Sequence, residues 1–476
     1  MEIFKQQFSP TFPSIMVDSS SGYGDVARRA LEEGGIELFD LIEIEREDGT
    51  IIKGILLPRP RYGDSEVLVV KLANGYNVGV DARRVRAIRK IGHVEPTRGL
   101  ATPPPSLKPG LPRVHFIGTG GTIASRIDYV TGAVYPYFTA EEIYSMIPEL
   151  EELALISVET LFSIFSEDMT PSHWSRLAVR VAEVFEKEEP KGIIVAHGTD
   201  TMGYTAAALA FALQRLPGPV ILVGAQRSSD RPSSDAATNV LAATITALKA
   251  PFAESVVVMH GGLDDTEFLV HRGVKVRKMH TSRRDAFRSV NALPLAKVTL
   301  PSRDFKLVCS SYIPRSREGV IVEPHFDEKT VLVKFYPGMS SELLEFLIDK
   351  GYHGVVIEGT GLGHIATRLI STVRRAVEEG IAVVIASQCL WGRVNMNVYR
   401  TGVELLKAGA ISAEDMLPET AYVKLSWLLA QTRDLREVRR RFLTNVAFEI
   451  GERSEEWFYP PLNYFEERWK RFSKSW

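Results

Sequence analysis

Short segments of this 476-residue sequence combine glycine with threonine hydroxyls, a pattern that can serve nucleophilic chemistry. One of them, GTGGTIAS at residues 118–125, directly follows an apolar run. Its glycines let backbone N–H groups approach a ligand, and the hydroxyl of Thr122 could act as a nucleophile if a base lies nearby. The same residues could instead form only a tight turn with threonine caps. A dinucleotide-binding loop is not predicted, because Ile123 stands where that motif requires glycine or alanine.

A second polar segment, HGTDTM at residues 197–202, follows another apolar run and precedes a helical stretch. Thr199 and Asp200 could project into the same crevice as the first segment, or the polar residues here could only cap the helix. A threonine beside a carboxylate needs a group that accepts its proton, and a lysine can do so when its pKa is depressed. Lys275 and Lys278 both lie in a basic stretch downstream, and spacing does not choose between them.

Both polar segments stand at the ends of predicted buried strands, where open α/β sheets bind their ligands. After residue 112, short apolar runs alternate with helical stretches, and this alternation predicts α/β domains with a doubly wound parallel sheet. The runs predicted as strands are 114–118, 192–198, 219–225, 255–261, 353–359 and 382–388. A polar stretch at 318–329 indicates a division into two lobes.

The first hundred residues follow a different pattern. Apolar and charged residues alternate from 41 to 47, and Asp48-Gly49 follows as a hairpin signal. About five short strands in this region predict a small SH3-like all-β barrel, which suits docking better than catalysis. The six prolines between residues 95 and 112 predict a semi-rigid linker.

These patterns divide the chain into six predicted segments. They are an N-terminal arm (1–30), a β-barrel (31–94), a Pro-rich linker (95–112), a catalytic lobe (113–317), a second lobe (318–445) and an aromatic-rich tail (446–476).

Composition narrows the class of protein. The net charge of −2 gives no global attraction to nucleic acid. Two cysteines cannot build a disulfide framework or a structural zinc site, so we expect no metal and a cytoplasmic location. The apolar runs are too short to span a membrane. Asn and Gln together number 14 of 476 residues, and this depletion indicates adaptation to heat.

Together with VGAQR at 223–227, GTGGTIAS and HGTDTM resemble the signature segments of the L-asparaginase family of threonine amidohydrolases. The resemblance covers about residues 113–440 and leaves out the barrel. The whole chain, including the segment EDMLPETAYVKLSWLL at 414–429, is similar to an archaeal branch of this family that serves tRNA-dependent amidotransferases. This similarity implies two asparaginase-like lobes preceded by the barrel.

By motif match, the resemblance implies catalytic roles for four residues. Thr122 corresponds to the nucleophile, and Thr199, Asp200 and Lys278 correspond to a cluster that manages protons. An acyl-enzyme intermediate divides amide hydrolysis into two easier steps. Backbone N–H groups at Gly121 and Thr199 are plausible donors to the tetrahedral intermediate.

The resemblance also implies substrate contacts. Tyr135 corresponds to the tyrosine of a loop that closes over the nucleophile, although Tyr129 lies nearby. Ser166 corresponds to a contact with the substrate backbone. Glu167 stands where many asparaginases have glutamine, and with Asp200 it could bind the substrate α-amino group. Outside these motifs, we expect His197 to be a structural histidine and Cys389 to be buried.

The similar amidotransferases imply partners for this chain. They imply that it releases ammonia from glutamine, and that a partner, the E subunit of the amidotransferase, transfers this ammonia to the activated glutamate of Glu-tRNA(Gln). They further imply that this chain holds no cofactor and that the partner binds ATP and Mg²⁺. Two copies of this chain would form a homodimer within a heterotetramer, and the partner would make most of the contacts with the tRNA. A free-standing L-asparaginase with an accessory barrel is the alternative. An inert docking scaffold is a third hypothesis, and the intact set of four catalytic positions argues against it.

Overall fold

The chain divides into two compact units, which comprise residues 1–101 with 127–135 and residues 102–126 with 136–476. A computed structural model describes residues 22–59, 64–72, 77–93, 110–121, 125–127, 134–136, 140, 143–144, 147–227 and 234–459. Most of the predicted linker and the end of the aromatic tail lie outside the described residues. Within the described part of the chain, no helix has the length and hydropathy needed to cross a bilayer.

The first unit contains a five-stranded antiparallel sheet with the order β4-β3-β2-β1-β5. Its strands are β1 (Asp40–Arg46), β2 (Ile51–Leu56), β3 (Val67–Leu72), β4 (Asn77–Asp81) and β5 (Val85–His93). Gly49 joins β1 to β2 with a φ of +81°, a conformation that suits glycine. The hairpin predicted at Asp48-Gly49 is therefore confirmed, and the sheet agrees with the small barrel-like module that the sequence predicts.

A helix precedes this sheet, where the sequence predicts a loose arm up to residue 30. Helix α1 (Asp25–Glu33) buries Ala27 and Leu31 in the same apolar cluster as Ile42 of β1 and Leu68 of β3. The prediction of an arm is therefore wrong for residues 25–30. Two buried positions in nine residues make too weak a period to reveal this helix in the sequence.

The remaining strands and helices belong to the second unit, except for the parts of β7 and β8 that fall within residues 127–135. The strands are β6 (Arg113–Gly118), β7 (Ser125–Ile127), β8 (Val134–Pro136), β9 (Leu155–Thr160), β10 (Ile193–Ala196), β11 (Leu213–Gln214), β12 (Val220–Val223), β13 (Ser255–His260), β14 (Glu267–Arg272), β15 (Val276–Lys278), β16 (Phe287–Ser289), β17 (Ala296–Thr299), β18 (Asp304–Leu307), β19 (Ile321–Val322), β20 (Thr330–Lys334), β21 (Gly354–Gly359), β22 (Ala382–Ser387) and β23 (Ile411–Ser412). The helices are α2 (Pro171–Glu188), α3 (Met202–Ala212), α4 (Ala236–Lys249), α5 (Glu342–Asp349), α6 (Ile370–Glu378), α7 (Arg400–Lys407), α8 (Pro418–Leu429) and α9 (Leu435–Phe442).

An eight-stranded sheet forms the first lobe, with the order β18-β17-β14-β13-β12-β10-β6-β9. The strands from β9 to β13 in this order run parallel, as predicted, whereas β14, β17 and β18 extend the sheet in antiparallel fashion. Successive residues of the central strands pack on opposite faces. Phe116 and Ile194 join the cluster beneath α4, and Ile117 and Val195 join the cluster beneath α2 and α3. Both faces are therefore covered, which explains the continuous apolar runs.

A four-stranded parallel sheet, β20-β21-β22-β23, forms the second lobe. Helices α5, α6 and α7 cover one face of it, and α8 lies on the other. Helix α8 also packs on α3 of the first lobe, where Trp427 stacks on Phe211 with ring centroids 5.8 Å apart. The two lobes therefore share one continuous apolar core through α8.

Candidate active site

Two glycine-rich turns meet at the carboxyl ends of neighbouring parallel strands. Gly118 of β6 lies opposite Ala196 of β10, and the Thr119 hydroxyl donates to the Ala196 carbonyl at 2.9 Å. Gly121 follows with a φ of +86°, and a Cβ atom there would lie 2.5 Å from the backbone nitrogen of Gly198. A side chain at position 121 is therefore excluded, and the two turns bring their backbones together. The next residue, Thr122, lies outside the described residues.

The described catalytic candidates Thr199, Asp200 and Lys278 come together at this edge. The Lys278 Nζ atom donates to Thr199 Oγ1 at 2.8 Å and to Asp200 Oδ1 at 2.7 Å. The Lys278 side chain is 14% exposed and that of Asp200 is 70% exposed. The lysine is thus nearly enclosed, while the carboxylate stays open to a ligand.

Ser166 borders the same turns from a third segment of chain. Its backbone carbonyl accepts a hydrogen bond from the Thr201 hydroxyl at 2.6 Å, and its side chain is buried. A Cβ atom at Gly198 would lie 2.7 Å from the Ser166 Cβ atom, so this contact also requires glycine. Glu167 follows Ser166 in a short helical turn and is exposed. The structure therefore places Ser166 and Glu167 beside the Thr199–Asp200 turn.

Family models match three stretches of this chain. The model described as asparaginase, N-terminal, matches residues 113–307, and the glutaminase/asparaginase C-terminal domain matches residues 329–442. The GatD N-terminal domain matches residues 36–91. These ranges correspond to the first lobe, the second lobe and the five-stranded sheet.

Curated relatives extend the match to nearly the whole chain. The D subunit of glutamyl-tRNA(Gln) amidotransferase from Thermofilum pendens is 57% identical over 450 residues, which cover 93% of this chain and 99% of the relative. The chain belongs to the family of glutamyl-tRNA(Gln) amidotransferase D subunits. The D subunit from Pyrococcus horikoshii is 55% identical over 425 residues, 88% of this chain and 96% of the relative. Among solved structures, the thermostable L-asparaginase from Thermococcus kodakarensis aligns with a TM-score of 0.65 and 30% identity, covering 71% of this chain and 99% of that one.

Residue spacing alone did not choose between two lysines for the site, and these lysines have different environments in this member of the family. Lys275 is 2% exposed, and its ammonium group pairs with Asp415 of the second lobe at 2.8 Å. Lys278 instead faces Thr199 and Asp200. Lys275 is therefore a buried inter-lobe contact, and Lys278 is the lysine of the candidate site.

His197 lies beneath the site as a structural histidine, as the sequence predicts. One ring nitrogen, Nδ1, lies 2.7 Å from the Gly198 carbonyl, and Nε2 lies 2.9 Å from the Thr205 hydroxyl. Burial lowers the pKa of His197 to about 4, so the ring is neutral at pH 7. A neutral ring that donates from Nδ1 and accepts at Nε2 satisfies both contacts. His197 therefore supports the turn that carries Thr199.

A buried polar network lies behind the 223–227 segment, and sequence reasoning did not predict its contacts. The Asn239 amide donates to the Gly224 carbonyl and to Asp235, both at 3.1 Å. His260 lies 2.8 Å from the Asn239 Oδ1 atom and 2.8 Å from Asp265. Since a Cβ atom at Gly224 would lie 2.7 Å from the Thr199 Cγ2 atom, the network supports the wall behind Thr199. The position of His260 at the end of β13 is a signal in the sequence for this network.

Two further predictions concern Cys389 and Tyr135. Cys389 is exposed, so the prediction that it is buried is wrong. Strand β22 ends at Ser387, and the Cys389 backbone N–H donates to the Ser387 hydroxyl in a turn that leaves the sheet. Tyr135 belongs to β8, but the structure does not describe its side chain.

In the described ranges, no group of three or more His, Cys, Asp or Glu residues is placed to hold a metal ion.

Proposed function

We propose that this chain is the glutaminase subunit of a tRNA-dependent amidotransferase. It hydrolyses the side-chain amide of glutamine and delivers the ammonia to the E subunit, which converts Glu-tRNA(Gln) to Gln-tRNA(Gln). The observation that carries the proposal is the position of the Lys278 ammonium group, 2.8 Å from Thr199 Oγ1 and 2.7 Å from Asp200 Oδ1. The amidotransferase relatives support the partner reaction through their name.

In the proposed mechanism, the Thr122 hydroxyl attacks the amide carbon of glutamine. The cluster of Thr199, Asp200 and Lys278 takes up the hydroxyl proton and returns a proton to the leaving nitrogen, so the C–N bond breaks and ammonia leaves. Water then attacks the resulting ester, which releases glutamate and restores the Thr122 hydroxyl. The cluster acts as the base in this second step.

Backbone N–H groups at the meeting of the two turns are the proposed donors to the tetrahedral intermediate. The close approach of Gly121 to the backbone of Gly198 supports this assignment, because it aligns main chain from both turns at one place. Removal of one such donor from an active site costs about 10²–10³ in rate. We assign this role to the N–H groups of Gly121 and Thr199.

The substrate contacts are assigned to residues around these turns. We propose that Ser166 contacts the substrate backbone and that Glu167 and Asp200 bind the α-amino group. The exposure of both carboxylates supports this role, since each can reach a ligand from solvent. We propose that Tyr135 closes over the bound amide. ATP and Mg²⁺ belong to the partner, and the complete assembly is a homodimer of this chain bound to two partner subunits.

A free-standing L-asparaginase is the second candidate. It is favoured by the alignment with the Thermococcus kodakarensis L-asparaginase, which covers 99% of that protein. The two functions differ in the preferred amide and in their dependence on the partner.

An ammonia-release assay separates these functions. The chain is supplied with glutamine or asparagine, alone or with the partner subunit and Glu-tRNA(Gln). We expect slow release from glutamine by the isolated chain and a marked increase when the partner and charged tRNA are present. Rapid hydrolysis of asparagine by the isolated chain, unaffected by the partner, would replace the proposal with the asparaginase function.

A further inference from the structure

The strand that carries Lys278 is separate from the eight-stranded sheet. Strand β15 pairs with β16 in a two-stranded sheet, where Lys278 lies opposite Phe287. Two three-residue strands are marginally stable by themselves. Other contacts must therefore determine where the Lys278 ammonium group lies.

A segment of the second lobe holds the residues that precede this strand. We call residues 415–420, which include the first residues of α8, the clamp segment. Its Asp415 carboxylate accepts from the Lys275 ammonium group at 2.8 Å, and the Asp415 carbonyl accepts from the same group at 3.3 Å. Its Thr420 hydroxyl donates to the Val274 carbonyl at 2.9 Å. The clamp segment thus holds both a side chain and the backbone immediately before β15.

The clamp segment also holds the strand itself. Glu419 Oε1 lies 3.1 Å from the guanidinium Nη1 atom of Arg277, the residue before Lys278. Since successive side chains of a strand point to opposite sides, fixing Arg277 on one side directs Lys278 to the other. On that other side lie Thr199 and Asp200, which the Lys278 ammonium group reaches.

The environment of the Glu419 carboxyl group does not favour the stability of the fold. Its side chain is 18% exposed, and its Oε2 atom is buried without a hydrogen-bond partner among the described residues. Burial raises the pKa of this carboxyl, and the charge of Arg277 only partly opposes the shift. A buried carboxylate oxygen with no donor destabilises a fold. The contact with Arg277 therefore points to a role in the site.

We propose that the clamp segment positions Lys278 for the reaction. Its Asp415, Glu419 and Thr420 are positioning residues, which hold β15 at the edge where Thr199 and Asp200 lie. This inference rests on the proposed function, because it requires Lys278 to take part in the reaction. Through this contact the second lobe determines the geometry of a proton-handling group in the first lobe.

The test measures kcat and KM for glutamine in the full-length chain with its partner subunit and charged tRNA. We expect Glu419→Ala to lower kcat by about 10- to 100-fold with KM within about twofold, because a displacement of about 1 Å is costly to a catalytic group. Glu419→Gln keeps an oxygen that accepts from Arg277, so it should retain kcat within about threefold of wild type. Wild-type kcat in Glu419→Ala would overturn the inference.

A matched control and a second variant keep the test independent of folding. Asp349 pairs with Arg375 at 2.8 Å elsewhere in the second lobe, so Asp349→Ala removes an ion pair without affecting β15 and should keep wild-type kcat. Thr420→Val removes the bond to the Val274 carbonyl while preserving side-chain shape, and it should also lower kcat selectively. If Glu419→Ala fails to fold, wild-type kcat in Thr420→Val overturns the inference.

The Lys278→Ala background separates positioning from general destabilisation. If Glu419 acts through Lys278, adding Glu419→Ala to Lys278→Ala should leave the residual rate unchanged within about twofold. A further loss in the double variant would mean that Glu419 acts by another route, which overturns the inference. Near wild-type turnover in Lys278→Ala alone would instead refute the proposed function itself.

Discussion

The same substitution at two lysines three positions apart should have very different effects on the stability of the fold. Lys278→Met removes an ammonium group whose partner, Asp200, is 70% exposed and can be solvated by water. Exposed ion pairs contribute about 0.2–1 kcal/mol, so the free energy of unfolding should fall by about 1 kcal/mol or less. Loss of a proton-transfer group costs about 10²–10⁴ in rate, so ammonia release should nearly cease.

Lys275→Met provides the comparison for the stability part of this prediction. Lys275 and Asp415 are 2% and 3% exposed, so the substitution leaves a buried carboxylate without its cation. Breaking a buried pair in this way costs about 3–5 kcal/mol. We therefore expect a large loss of stability from Lys275→Met, whereas Lys278→Met should lose activity and stay folded.

Denaturant titration and ammonia release, measured on the same preparations, test this contrast. Turnover of Lys278→Met within about tenfold of wild type would refute the catalytic assignment. A loss of stability in Lys278→Met as large as that in Lys275→Met would refute the assigned environments. Either result would remove the distinction between a site lysine and a structural lysine.

Burial lowers the pKa of His197 from 6.5 to about 4, so between these values the unfolded chain binds a proton that the folded chain does not. The free energy of unfolding should therefore fall by about 3 kcal/mol as the pH drops through this window. In denaturant titrations, the free energy of unfolding of His197→Asn should depend less steeply on pH, and equal slopes in the two proteins would contradict this prediction. Gly121→Ala places a methyl group against the Gly198 backbone and should reduce ammonia release by at least about 10²-fold, whereas near-normal release would exclude the proposed backbone donor. Asn239→Leu leaves buried polar partners unpaired and should cost about 1–3 kcal/mol in thermal unfolding, so an unchanged melting temperature would show that the network adds no stability. Deletion of residues 1–95 should reduce the stimulation of ammonia release by the partner and charged tRNA more than it reduces glutamine hydrolysis by the isolated chain. An equal loss of both would argue against a docking role for the barrel.

Much of the fold was predictable because buried parallel strands leave a strong trace in the sequence. All six predicted apolar runs form strands, and two of them end at the turns that carry Gly121 and Thr199. Antiparallel strands β14, β17 and β18 were not predicted, since charged residues interrupt the apolar sequence in each of them. Helix α1 was missed because its burial depends on the sheet beneath it.

The candidate site was predictable only in part. Thr199 and Asp200 follow directly from their position after an apolar run, since the ends of parallel strands meet at one edge. The exposure of Cys389 was not predictable from a similar position, because it depends on the direction in which the chain leaves β22.

The sequence by itself determined the strand pattern, the glycine-threonine turns and the resemblance to amidohydrolases, because these depend on residues close together in the chain. Residue spacing left Lys275 and Lys278 open and the resemblance favoured Lys278, but only the tertiary structure shows which of the two faces Thr199 and Asp200. Lys275 and Lys278 share one basic stretch, but one reaches Asp415 in the second lobe and the other reaches Thr199 in the first. That difference arises where the two lobes pack around β15. The contact of Lys278 joins residues 79 positions apart in the chain, and that of Lys275 joins residues 140 positions apart. The spacing of residues along the chain carries no information about such contacts.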